Sequence, residues 1–168
     1  MFTDNSKIPA IPEEPVYENL LTDVNSLLEE DAPALSNLSN FISLINHAFP
    51  KISWIGYYFA KDGFLYLGPF QGKVACTKIK IGNGVCGTSA QQRKTVVVED
   101  VHKFPGHIAC DSGSNSEIVL PIVQNSELIG VLDLDSYQYS AFNETDKKYL
   151  EKLIKLLVDK VDFKNFIV

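Results

Sequence analysis

Three cysteines are the residues of this chain best suited to redox chemistry. Cys86 and Cys110 lie in glycine-bearing turns, within GNGVCGTSA and GHIACDSGS, whereas Cys76 lies in the alternating stretch VACTKIKI. A free cysteine is commonly a buried and inert packing residue. A loop whose backbone N–H groups converge can instead stabilise a thiolate and make the sulfur nucleophilic. The stretch DSGSNS after Cys110 allows such a nest, which would offset the charge of Asp111, so both readings stay open.

A pair of acidic residues provides a second candidate for chemistry. Asp133 and Asp135 share one face of the predicted strand GVLDLDS, because side chains alternate between the two faces. Neighbours on one face stand about 6–7 Å apart, so each carboxylate hinders ionisation of the other, and the pair can bind a cation or donate a proton. On an edge strand both would be solvated, but the neighbouring sequence is too apolar for an edge. Glu117, which opens EIVLPIV, is by pattern alone the solvated end of a buried strand.

An aromatic pair flanks a glycine in the stretch ISWIGYYF. Alternation places Trp54, Gly56 and Tyr58 on the same face of the predicted strand. The glycine would leave a notch with aromatic walls, which suits a small ligand or its ammonium group. The alternative is that both rings simply pack in the core.

Composition narrows the possible functions of this chain. With 168 residues and 45% hydrophobic content, one globular domain is expected. The net charge of −6 argues against nucleic acid or an anionic membrane as a partner. The odd cysteine count argues against a disulfide framework, and the histidines do not flank the cysteines at zinc-site spacing. We therefore expect no metal and no cofactor. The absence of a signal sequence or long apolar run favours a cytoplasmic location.

The elements that position these residues follow from periodicity. Residues 1–15, with three prolines, predict an extended arm, and residues 16–168 predict a single domain. Apolar residues at helical spacing predict helices at 16–30, before Pro50 and after Asn143. About six strands joined by short turns, including an Asp62-Gly63 hairpin, lie between the helices. The expected fold is α+β, an antiparallel sheet with the N- and C-terminal helices packed on one face.

Four segments together resemble the free methionine-(R)-sulfoxide reductase family, whose members have the GAF-domain fold. They are WIGYYF, LYLGPFQGKVACTKIKIGNGVCGTSA, GHIACDSGSNSEIVLPI and GVLDLDS, and the resemblance runs from about residue 16 to residue 161. It implies that Cys110 is the nucleophile, Cys76 the main resolving thiol and Cys86 an auxiliary one. It also implies thioredoxin as the reductant. The implied substrate-pocket residues are Trp54, Tyr58, Glu117, Asp133 and Asp135.

Two other functions remain compatible with these residues. A GAF domain can be a non-catalytic sensor of a small ligand, although sensing does not require three thiols near one pocket. A thiol redox switch for a partner protein would be oxidised by peroxide but would not turn over a sulfoxide. A homodimer is expected, because terminal helices on this fold often pair.

Overall fold

In a computed structural model, residues 13–108 and 110–163 are described. The helices are α1 (Glu13–Leu27), α2 (Ala34–Ala48), α3 (Gly84–Gln92) and α4 (Glu144–Lys160), with a 3₁₀ turn at Val101–Lys103. The strands are β1 (Trp54–Lys61), β2 (Phe64–Gln71), β3 (Lys78–Lys80), β4 (Val96–Val98), β5 (Ser116–Gln124) and β6 (Glu127–Ser136). No helix within these ranges is long and apolar enough to cross a bilayer.

The N-terminal helix begins earlier than its sequence pattern predicts. Residues 13–15, expected to be extended, form the first turn of α1. Proline is tolerated at position 15 because an N–H in the first turn would have no partner within the helix. The remainder of the predicted arm, residues 1–12, lies outside the described residues.

The sheet has the order β3-β2-β1-β6-β5-β4, and every neighbouring pair is antiparallel. The two-residue turn at Asp62 and Gly63 has φ values of 51° and 79°, the geometry of the predicted hairpin. Asn125 and Ser126, with φ values of 51° and 65°, connect β5 to β6 in the same way. These tight turns keep sequential strands adjacent, and the predicted α+β class is confirmed.

The sheet has a different covering on each face. Helices α1, α2 and α4 pack on one face against alternate strand residues such as Ile55, Tyr57 and Leu132, as the sequence predicts. The buried carboxylate of Asp146 anchors this layer, since it accepts a hydrogen bond from Tyr17 (2.7 Å) and pairs with Lys51 (2.7 Å). The opposite face is covered by α3 and by the loops that carry the cysteines.

One predicted strand is much shorter than expected. The alternation of VACTKIKI predicts a continuous strand, but only Lys78–Lys80 pairs as β3, so Cys76 lies in an irregular segment. The chain leaves β2 at Gly72, whose φ of 126° suits glycine. The indole Nε1 of Trp54 then donates a hydrogen bond to the carbonyl of Lys73 (3.0 Å). Residues 72–76 therefore lie outside the strand pairing of the sheet.

Candidate active site

Strand register brings the predicted pocket residues together on one face. Trp54 pairs with Asp135 across β1 and β6, and Glu117 pairs with Asp135 across β5 and β6. These positions open onto a pocket whose empty volume, including its mouth, is about 530 Å³. Its lining includes all five residues predicted for a substrate pocket: Trp54, Tyr58, Glu117, Asp133 and Asp135. The acidic pair therefore faces a cavity, as expected from its position on a central strand.

A disulfide lies at this pocket. Cys76 and Cys110 are bonded, with their Cα atoms 5.5 Å apart and a separation of 34 positions in sequence. This is the pairing that the family resemblance implies. Cys110 is itself a lining residue of the pocket, so its sulfur shares the cavity with the tryptophan and the acids. Among the cysteines only Cys86 is free, and it is buried.

The carboxylate beside Cys110 has its own partners. Asp111 accepts hydrogen bonds from the N–H of Gly113 (3.0 Å) and the hydroxyl of Tyr137 (2.9 Å), and it lies 3.1 Å from the ammonium of Lys73. The Gly113 bond, followed by the Lys73 and Tyr137 contacts, lowers the pKa of Asp111. Asp111 is therefore ionised, but the adjacent cation compensates its charge. The same contacts tie the segment before Cys76 to the loop after Cys110.

The anion nest that the sequence allows after Cys110 is not formed by the N–H groups of Gly113, Ser114 and Asn115. The N–H groups of Gly113 and Ser114 donate to Asp111, at 3.0 and 3.2 Å, and that of Asn115 donates to a carbonyl at the end of β6 (2.8 Å). These donors stabilise the loop itself and leave none of the three for a thiolate of Cys110. A run of small polar residues allows several loop conformations, so the sequence alone does not select among them.

Carboxyl groups at the floor of the pocket are removed from water. Glu117 and Asp133 are each 6% exposed, so the interpretation of Glu117 as a solvated strand end is wrong. Burial, reinforced by Asp133 and Asp135, raises the pKa of Glu117 well above its usual range. Burial and the charge of Asp133 likewise raise the pKa of Asp135, and burial raises that of Asp133 to about 6. The cluster therefore retains protons near neutral pH.

The free thiol lies against the same acids. Cys86, in the first turn of α3, donates a hydrogen bond to Asp133 Oδ2 at 3.2 Å, and its Sγ lies 3.9 Å from Glu117 Oε1. Burial, followed by the charges of Asp133 and Glu117, raises the pKa of the thiol well above its usual value. Cys86 is therefore a protonated hydrogen-bond donor in this arrangement.

The glycine between the aromatic residues does not leave an open notch. A Cβ on Gly56 would lie 2.5 Å from Cη2 of Trp54 and 2.5 Å from Cβ of Phe70, and Gly56 does not line the pocket. The rings of Trp54 and Phe70 stack with their centroids 5.6 Å apart. The absent side chain thus makes room for the indole itself, which then forms one wall of the cavity together with Tyr58.

Sequence patterns did not indicate several residues at this site. His107 lines the pocket, with Nε2 3.8 Å from Glu117 Oε2, and burial lowers its pKa. Its place three residues before Cys110 was the only available signal. The buried Ser114 also lines the pocket. Lys73 and Tyr137 contact Asp111 from distant parts of the chain, so no local pattern identifies them.

A single antiparallel sheet with helices on one face and a pocket under the loops of the other is characteristic of a known class of domain. The family model described as "GAF domain" matches residues 38–159. The chain is 44% identical over 154 residues to the "Free methionine-R-sulfoxide reductase" of Escherichia coli, covering 89% of this chain and 93% of that protein. It is 45% identical over 159 residues to the Saccharomyces cerevisiae protein of that name, covering 90% and 88%. The chain therefore belongs to the free methionine-R-sulfoxide reductase family of GAF-domain proteins.

Solved structures agree with this membership. The free methionine-R-sulfoxide reductase of Neisseria meningitidis, determined in complex with its substrate, superposes with a TM-score of 0.86. That protein is 39% identical in sequence, and the match covers 92% of this chain and 93% of the other. The fold and the sequence thus indicate the same family.

Proposed function

We propose that this chain reduces free methionine (R)-sulfoxide to methionine. The observation that carries the proposal is the disulfide between Cys76 and Cys110, formed at a pocket with three acidic residues on its floor. No lysine or arginine occurs among the described residues that line this pocket, so its charge suits the ammonium group of a free amino acid. The indole wall of Trp54 suits an apolar side chain. A residue within a peptide would lack that ammonium group.

The chemistry begins at Cys110. Its thiolate attacks the sulfoxide sulfur while the oxygen gains a proton, and the oxygen is then transferred to the cysteine as methionine leaves. Methionine sulfur is reduced by two electrons, and Cys110 is oxidised by two electrons to a sulfenic acid. The ionised Asp111 does not prevent thiolate formation, because Lys73 compensates its charge.

The acidic cluster supplies the proton for the sulfoxide oxygen. A general acid must retain its proton near the working pH, and burial raises the pKa values of Glu117, Asp133 and Asp135 in that direction. Asp133 Oδ1 is buried and has no hydrogen-bond partner among the described residues, so it is available to a ligand. We assign Glu117, Asp133 and Asp135 to substrate binding and proton donation.

The resolving step assigns different roles to the other two thiols. Cys76 attacks the sulfenic acid, the sulfur–oxygen bond breaks, and water leaves as the disulfide forms. The half-buried position of Cys76 beside Cys110 supports this role. Cys86 is an auxiliary thiol, because its buried, protonated sulfur exchanges more slowly than an accessible one.

An external dithiol must then reduce the disulfide, and we propose thioredoxin for this step. Cys110 is exposed, and the surrounding surface includes Val74, which is 85% exposed, and Ile108, which is 38% exposed. Exposed apolar residues around a disulfide suit the docking of a protein reductant.

A recycling dithiol operates in a reducing compartment, so we also propose a cytoplasmic location. A homodimer is proposed from the fold, and size-exclusion chromatography tests it.

Turnover by purified protein tests this function. The wild type with dithiothreitol should consume the R epimer of free methionine sulfoxide and leave the S epimer. Cys110→Ser should release no methionine, even in a single turnover. Cys76→Ser should release one equivalent and then stall with thioredoxin as the only reductant. Cys86→Ser is the matched control and should retain most of the burst.

Two results would contradict these assignments. A stoichiometric burst from Cys110→Ser would show that another group attacks the sulfoxide. Failure of the fully reduced wild type to consume the R epimer would remove the reductase function itself.

The second candidate function is a thiol redox switch. The same Cys76–Cys110 disulfide favours it, because a sensor also needs two thiols that bond on oxidation. A switch would form this disulfide with hydrogen peroxide but would release no methionine from the sulfoxide. Following the loss of free thiols and the release of methionine in the same samples distinguishes the two functions.

A further inference from the structure

The floor of the pocket brings together three side chains that can ligate a metal ion. The Sγ of Cys86, one oxygen of Glu117 and one oxygen of Asp133 all lie within 4.8 Å of one another. Each comes from a different element, α3, β5 and β6, so the cluster is built by the tertiary fold. We propose that these side chains bind a thiophilic divalent cation such as Zn²⁺, and that the bound ion blocks the pocket.

The distances in the cluster match a zinc coordination sphere. With Zn–S about 2.3 Å and Zn–O about 2.1 Å, two ligands of a tetrahedral ion lie about 3.6 Å apart. The thiol sulfur of Cys86 is 3.2 Å from Asp133 Oδ2 and 3.9 Å from Glu117 Oε1. Small rotations of these side chains therefore suffice to place all three donors around one ion.

An unpartnered buried atom gives independent support. Asp133 is 6% exposed and lines the pocket, and its Oδ1 has no hydrogen-bond partner among the described residues. A buried carboxylate oxygen without a partner is costly, and a cation would satisfy it. Asp135 adds further negative charge to the same cavity.

A histidine lies beside the cluster, and the pocket provides an entry path. His107 lines the pocket, and its Nε2 lies 3.8 Å from Glu117 Oε2, at the edge of the cluster. Imidazole nitrogen, thiolate sulfur and carboxylate oxygen are all ordinary zinc ligands. The three core ligands line the same opening as Cys110, so an ion reaches them through the pocket mouth. The thiol releases its proton to solvent as it coordinates.

The bound ion and the proposed substrate require the same atoms. A cation on Asp133 and Glu117 occupies the groups assigned to the ammonium group and the sulfoxide oxygen, so inhibition should be competitive. That consequence rests on the proposed function, whereas metal binding does not. The site would make reductase activity respond to free zinc, independently of the Cys76–Cys110 pair.

Cobalt binding to the oxidised protein tests the site directly. With the Cys76–Cys110 disulfide intact, Cys86 is the only free thiol, so a sulfur-to-cobalt charge-transfer band reports on this residue alone. Titration with Co²⁺ should produce that band at one equivalent, with visible bands of four-coordinate cobalt, and Zn²⁺ should abolish it. Cys86→Ser should lack the charge-transfer band. Asp133→Asn should weaken Co²⁺ binding at least about tenfold, since even outer-shell changes weaken metal sites by that factor.

The controls separate this site from surface binding and from the proposed function. Glu127→Gln, an exposed acid at the start of β6, should bind Co²⁺ like the wild type. No charge-transfer band at millimolar Co²⁺, or an unchanged band in Cys86→Ser, would overturn the site. Zinc inhibition that methionine sulfoxide does not relieve would overturn competition at the pocket. Because the titration uses no substrate, a protein that binds cobalt but reduces no sulfoxide would retain this site and lose the reductase assignment.

Discussion

Asp133 should reduce the stability of the folded protein at neutral pH, and the variant Asp133→Asn tests this expectation. The carboxyl is buried between Glu117 and Cys86, and burial raises its pKa from 3.8 to about 6. Asparagine has nearly the same shape, stays neutral at every pH, and retains an oxygen that can accept the Cys86 hydrogen bond. The substitution therefore removes the charge and little else.

The size of the effect follows from that pKa. One pKa unit corresponds to 1.36 kcal/mol, so the gap between 3.8 and about 6 amounts to about 3 kcal/mol. The charge of Asp133 also raises the pKa values of Glu117 and Asp135. Removing that charge therefore removes repulsion between the carboxylates and increases the stability of the variant further.

The sign of the pH dependence is opposite to that of a salt-bridged aspartate. Between pH 3.8 and about 6 the folded state holds a proton on Asp133 that the unfolded state has lost. Stability of the wild type therefore falls as pH rises through this window and stays low above it. The Asp133→Asn variant does not lose stability in this way. The difference in the free energy of unfolding between the variant and the wild type should therefore be small at pH 3.5 and should grow by about 3 kcal/mol by pH 7.5.

Urea denaturation of the oxidised protein at both pH values measures the effect. The comparison of two pH values cancels any pH-independent packing cost of the substitution. In thermal scans the same change corresponds to about 6–12 °C, at about 2–4 °C per kcal/mol for a chain of this size. Asp23→Asn, which removes an exposed carboxyl from α1, is the control for loss of one charge. The reductase activity of Asp133→Asn should fall as its stability rises.

Two outcomes would refute the reasoning about Asp133. A stability difference that is equal at pH 3.5 and pH 7.5 would mean that the folded state does not raise this pKa. A difference that shrinks as pH rises would mean that the ionised carboxylate is stabilised in the pocket, in conflict with the burial described above.

Two further variants test the pocket wall and the reductase surface. Gly56→Ala should cost about 1–3 kcal/mol of stability and raise KM for the sulfoxide, because the new Cβ would lie 2.5 Å from the indole of Trp54. An unchanged KM would mean that the indole does not shape the site. Val74→Asp should raise KM for thioredoxin more than it changes turnover with dithiothreitol, because Val74 is 85% exposed beside the disulfide. An equal effect with both reductants would contradict a docking role.

Short-range patterns predicted the framework of this protein well. Alternation assigned Trp54 and Tyr58 to one face of β1 and, separately, Asp133 and Asp135 to one face of β6. The strand register places all four on the same pocket. The Asp62-Gly63 turn was equally predictable, because its φ values of 51° and 79° follow from the residues themselves. These features depend on neighbours within a few positions.

Local sequence patterns predicted the structure less well where a contact between distant residues overrides the local preference. The alternation around Cys76 predicted a strand, but the bond from Trp54 to Lys73 and the link to Cys110 hold that segment off the sheet. Glu117 was interpreted from its position at the end of a strand, but Cys86 of α3 and His107, which both lie outside that strand, lie around its buried carboxyl.

By itself, the sequence determined which side chains share a face, where the chain turns, and through the family motifs which chemistry to expect. Only the tertiary structure decided that Lys73 compensates the charge of Asp111, that the thiol of Cys86 stays protonated against Asp133, and that burial raises the pKa values of the acids. The physical reason is that charge compensation and desolvation depend on distance in space. Residues such as Cys86 and Asp133, 47 positions apart in the chain, come within 3.2 Å only when the sheet and α3 pack together.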